Sequence, residues 1–132
     1  MEGRPPATWC FHHEGDVWTL AYEGQIVRLR DAVGLRYLAH LLRHPGRPFH
    51  VSELSAAVGG RTVAGGAPTS ERARKAVTNR IRQSSARIGA LHPGLGLHLR
   101  NAVHTGTRCV YTPDRPVPWS FQAETVASLQ QL

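Results

Sequence analysis

Residues 70–88 read Ser70-Glu71-Arg72-Ala73-Arg74-Lys75-Ala76-Val77-Thr78-Asn79-Arg80-Ile81-Arg82-Gln83-Ser84-Ser85-Ala86-Arg87-Ile88, and shortly after comes Val103-His104-Thr105-Gly106-Thr107-Arg108-Cys109-Val110-Tyr111. The pattern predicts a basic helix over 70–89 followed by a β-hairpin over 103–111. Ser70 is placed to cap the helix, and Glu71 sits where a helix N-terminus favours negative charge. At about 100° per residue, Ala73, Val77, Ile81, Ser84 and Ile88 fall on one stripe. The opposite side carries Arg72, Lys75, Asn79, Arg82 and Gln83, with Arg74, Thr78, Arg80 and Arg87 along the flanks. One side is built to pack on a core while the other offers cations and amides. Arg forks bind phosphate or guanine edges, and Asn or Gln pairs with adenine. A solvated charged face is the ordinary alternative, but such faces mix both signs. Six cations lie from Arg72 to Arg87 with no acid among them.

The placement of charge points the same way. The net charge is +7. Residues 1–71 balance seven Lys/Arg against seven Asp/Glu, whereas residues 72–132 hold nine against two. All of the excess therefore falls in the C-terminal half, as a binding surface on one side of a fold would have it. The 132 residues suit one domain with a modest core, and 41% hydrophobic content indicates a globular chain.

Working outward, residues 1–8 read as a Pro-rich flexible tail. Trp9–His13, Val17–Tyr22 and Gln25–Arg30 alternate like strands, separated by the turn signals Glu14-Gly15-Asp16 and Glu23-Gly24. They predict an antiparallel meander with one buried face. Asp31 is placed to cap a helix with Leu35, Tyr37, Leu38, Leu41 and Leu42 inward, stopped by Pro45-Gly46. Phe49-His50-Val51 reads as extended. Ser52 is placed to cap a brief helix with Leu54 and Val58 inward, and residues 59–69 read as a Gly-rich loop. Leu95–Arg100 reads as a helical turn after the break at Pro93-Gly94. Trp119 and Phe121 are expected to pack back on the body, and 122–132 reads as a tail or short helix.

The sequence offers weak support for other chemistries. His40 and His44 have a chelating spacing on a helix, but no third ligand is placed by sequence, so no metal is expected. Gly59-Gly60 and Gly65-Gly66 lack the ending and setting of a phosphate loop. No nucleophile elbow or paired base is readable, so the chain is not expected to be an enzyme or to need a cofactor. Trp9, Trp18 and Trp119 read as core anchors rather than base-stacking platforms. Cys10 and Cys109 have no metal or redox spacing, and the sequence leaves a disulfide between them open. The start has no apolar run and no stretch approaches ~18 apolar residues, so a cytoplasmic setting without membrane contact and with reduced thiols is expected.

The order strands, helix, helix, loop, basic helix, hairpin resembles the winged helix-turn-helix of bacterial OmpR/PhoB-type regulators. Gly24–Leu29 through Leu38–Leu54 is similar to that family's third strand and first two helices, and Val77–Ile88 with Val103–Tyr111 to its recognition helix and wing. Gly34-Leu35-Arg36-Tyr37-Leu38, Arg72–Thr78, Thr105–Tyr111 and Trp119-Ser120-Phe121 further resemble a domain found at the ends of large actinobacterial regulators. Ser84 departs from the pattern, standing where OmpR/PhoB proteins have Leu, and so predicts shallower packing there.

The resemblance covers residues 9–121 and implies an α+β winged helix with an N-terminal meander, three helices and a C-terminal hairpin wing. It implies a transcription regulator on double-stranded DNA. Arg72, Lys75, Asn79 and Arg82 would lie nearest base edges, with Thr78 and Gln83 beside them on the helix. Arg74, Arg80, Arg87 and Arg100 would bind phosphate, and Arg108 would reach the minor groove or its backbone. A homodimer or larger regulatory partner is expected, because a lone winged helix binds weakly. RNA polymerase contact through residues 59–69 also follows from the resemblance. The alternative is an interaction module docking RNA polymerase or an acidic protein through the same face. RNA fits less well, since A-form helices close off the major groove.

Overall fold

Alternating side chains between tight turns give the first sheet. In the computed structural model, which describes residues 9–59 and 70–121, β1 (Trp9–Glu14), β2 (Val17–Tyr22) and β3 (Gln25–Arg30) form the expected antiparallel meander. Glu23 and Gly24 take φ of 50° and 86°, the positive pair that a two-residue hairpin turn requires. Phe11, Trp18, Leu20 and Leu29 are buried, and their cross-strand partners put them on one face. The short strand Trp119–Ser120, here β7, pairs parallel to β1 and completes the order β3-β2-β1-β7. Trp119 stacks on Tyr22 at 5.9 Å and meets Phe11 edge-on. The tail 1–8, all but Gly59 of the loop 59–69, and the segment 122–132 lie outside the described residues.

Two compact units result. Residues 9–31 and 116–121 belong to one, and the described part of Ala32–Arg115 to the other. In the first unit, Asp31 does not spend its carboxylate on a helix cap. It accepts the Trp18 indole N–H at 2.8 Å, while His13 stacks on Trp18 at 4.4 Å.

The second unit is helical with a small sheet. α1 (Val33–Arg43) follows Ala32, which makes no side-chain cap. Its Leu35, Tyr37, Leu38, Leu41 and Leu42 are buried as the spacing predicts. Burying a side chain of this size stabilises by roughly 1.5–3 kcal/mol. β4 (Phe49–His50) leads into α2 (Val51–Gly59). The cap expected of Ser52 belongs instead to His50. Its Nδ1 accepts the Ser52 N–H at 3.1 Å, and its own N–H donates to Glu53 Oε1 at 2.9 Å. That is a capping box with an imidazole in the usual hydroxyl's place.

α3 (Ser70–Leu91) runs two residues beyond the expected end. Four helices are described rather than three. The segment read as one turn is α4 (Pro93–Ala102), with Pro93 in its first turn. His92 is buried at its start, and its Nδ1 accepts the Leu95 N–H at 3.2 Å. β5 (Val103–His104) and β6 (Arg108–Tyr111) form the hairpin, and β4 joins it in the order β4-β6-β5. The architecture is α+β, and no described helix is long and apolar enough to cross a membrane.

Candidate nucleic-acid interface

The back of α3 is set by its aliphatic stripe. Val77, Ile81, Ser84 and Ile88 are all 3% exposed or less. α1 crosses this face with Gly34 directly against the Arg80 carbonyl and the Ser84 hydroxyl. Ser84 therefore marks a closer approach than expected rather than a shallower one. A leucine there would fill the space that Gly34 leaves for the α3 backbone.

The front of α3 carries the predicted contact groups. Arg72, Lys75, Asn79, Arg80, Arg82, Gln83 and Arg87 are exposed, and Arg74 is half-buried. Thr78 is the exception among the candidates. It is 9% exposed, and its hydroxyl has no partner among the described residues. α1 and α2 both pack on α3, so the covered arc is wider than one stripe and takes in Thr78.

The cations on α3 are not equivalent. Arg74 Nη2 lies 3.4 Å and Lys75 Nζ 3.9 Å from Glu71 Oε2, so the first turn is partly neutralised. Exposed pairs of this kind are weak and exchange readily for another anion. Among the described residues, Arg80 and Arg82 on α3, Arg100 on α4 and Arg108 on β6 have no ion pair.

α3 ends at Leu91, and the chain turns back through His92 and Pro93 into α4. α4 crosses α3 at Gly96, against the Cα of Gly89. A groove of about 770 Å³ opens between the two helices and the hairpin. Arg82, Ser85 and Ala86 line it from α3, Leu97 and Arg100 from α4, and Thr105 from the hairpin. Among the described residues no carboxylate lines it. The structure thus brings Arg82 and Arg100 to one groove, while Arg72, Arg74 and Lys75 stay at the other end of α3. The sequence carried one sign of this arrangement: Pro93 is as good a helix opener as a helix breaker, and Gly89 and Gly96 flank it.

The hairpin is short and braced. The Thr107 carbonyl accepts the Val51 N–H at 2.9 Å, tying its turn to the start of α2. Cys109 and Tyr111 are buried beneath it, and Tyr111 Oη lies 2.7 Å from His98 Nε2. Arg108 is exposed on β6, opposite His50 of β4.

Elsewhere, the His40 and His44 rings lie 5.1 Å apart, each against Phe49, with the Arg47 guanidinium 4.7 Å above the Phe49 ring. No group of three His, Cys, Asp or Glu side chains gathers among the described residues. Cys10 and Cys109 are free thiols, and burial pushes both above the ordinary thiol range. Set against known proteins, the chain matches no family model, no curated protein and no solved structure.

Proposed function

We propose that this chain is a winged-helix DNA-binding transcription regulator, with α3 in the major groove and the hairpin 103–111 on the adjacent minor groove or backbone. The observation that carries the reading is the division of α3. Its back is sealed by Val77, Ile81, Ser84 and Ile88, and its front offers Arg72, Lys75, Asn79, Arg82 and Gln83 to solvent. A helix braced in this way presents cations and amides without moving, as recognition in a groove requires. The sequence of helices followed by a hairpin supports the winged-helix form. Arg80, Arg87, Arg100 and Arg108 supply phosphate contacts, and weak binding by one copy calls for a dimer, tandem sites or a larger partner.

Selection of duplex fragments from a random pool by the purified chain tests this. Enrichment of a defined site is expected. Asn79→Ala should relax preference at one base pair, by about 1–3 kcal/mol. Retention of an acidic protein with no retention of DNA would make the same face a protein-docking module instead.

A further inference from the structure

The groove between α3 and α4 has a chemistry of its own. Its two cations come one from each helix, and neither has a counter-ion among the described residues. Among the described residues no acid lines it. Its floor is the close crossing of Gly89 and Gly96, and the short side chains of Ser85 and Ala86 keep its α3 wall low. Ser85 and Thr105, both hydroxyl-bearing, also line it.

An open groove with arginine on both helices and no acid among its described lining residues matches a continuous anionic strand better than a flat base edge. Guanidinium forks bind phosphate in two-point fashion, and hydroxyls are common phosphate partners. We propose that this groove seats the sugar–phosphate backbone of one DNA strand, with Arg82 and Arg100 each on a phosphate. The assignment rests on the DNA-binding reading and changes it in two respects. Arg82 serves affinity at every sequence rather than reading a base, and α4, absent from the helix count expected for a winged helix, becomes part of the interface.

The test is a set of titrations of the full chain against a selected duplex, an unrelated duplex and poly-glutamate, at several salt concentrations. Arg82→Ala and Arg100→Ala are expected to weaken both duplexes by the same factor. Each should also reduce the slope of log K against log salt by about 0.9. Ala86→Glu places a carboxylate in the groove and should weaken both duplexes roughly tenfold or more, whereas Ala86→Gln, of equal size, should not. All four substitutions are at exposed positions, and an unchanged melting temperature checks that the fold is intact.

Several results would overturn the assignment while leaving DNA binding in place. One is Arg82→Ala weakening only the selected duplex; another is Arg100→Ala leaving affinity and slope untouched; a third is Ala86→Glu behaving as Ala86→Gln. Poly-glutamate bound as tightly as DNA, and lost equally in Arg100→Ala, would give the groove to an acidic protein. A wild-type chain that binds neither duplex would remove both this assignment and the function on which it rests.

Discussion

Where α1 crosses α3, Gly34 lies against the Arg80 carbonyl and the Ser84 hydroxyl. Where α4 crosses it, Gly96 lies against the Cα of Gly89. Both crossings use a missing side chain to bring two helices together, yet their surroundings differ. The first is flanked by Leu35, Leu38, Val77 and Ile88, all sealed from solvent. The second opens onto a groove with Leu97 more than half exposed and two arginines that have no ion pair among the described residues. Close approach serves the core in one place and a surface in the other. What separates them is the company each glycine keeps, not the glycine itself.

That contrast can be broken by adding one methyl group at each crossing. Gly34→Ala drives a Cβ into the α3 backbone inside a packed seam, and the chain should lose about 1–3 kcal/mol, since an overpacked core has nowhere to yield. A thermal or denaturant melt reads it. Gly96→Ala meets the Gly89 backbone, but the open groove lets α4 shift. The expected loss of stability is smaller, and a fall in DNA affinity should accompany it. Equal losses at the two sites, or an unaffected Gly34→Ala, would show that the crossings do not differ as described.

The smallest expected effect is at His40. His40 on α1 has its pKa lowered below 6.5, first by burial and then by the neighbouring His44, Arg43 and Arg47. Between the folded and unfolded values the unfolded chain binds the proton more readily, so stability rises with pH there. Stability should be full above the ordinary histidine value of 6.5 and fall as the pH drops from there through the depressed folded value. Melts at about pH 8 and about pH 5, with and without His40→Gln, check this. The substitution should flatten part of the slope.

The sequence made some of this legible through periodicity and left other parts dark. The two sides of α3 could be read because Val77, Ile81, Ser84 and Ile88 repeat at helical spacing, and the meander because Trp18, Leu20 and Tyr22 alternate before Glu23-Gly24. Three features carried no such signal. β7 is two residues long and pairs with a strand more than a hundred positions away, so no local pattern marks it. α4 was obscured by Gly94 and Gly96, which lower helix propensity, and by reading Pro93 as a stop rather than a start. His50 and His92 cap helices through Nδ1, a role that sequence reasoning assigns to Ser, Thr, Asp or Asn. Among the candidate contacts, only Thr78 turned inward, because α2 as well as α1 packs on α3. The groove that joins Arg82 to Arg100 depended on α4, and could not be foreseen without it.

The central claim is that the exposed side of α3, with its neighbouring arginines, binds the backbone and grooves of duplex DNA. The salt dependence of affinity tests it most directly. Contact with about five phosphates gives a slope of log K against log salt of roughly −4 to −5. An affinity for duplex DNA that stays constant between low and moderate ionic strength would contradict the account.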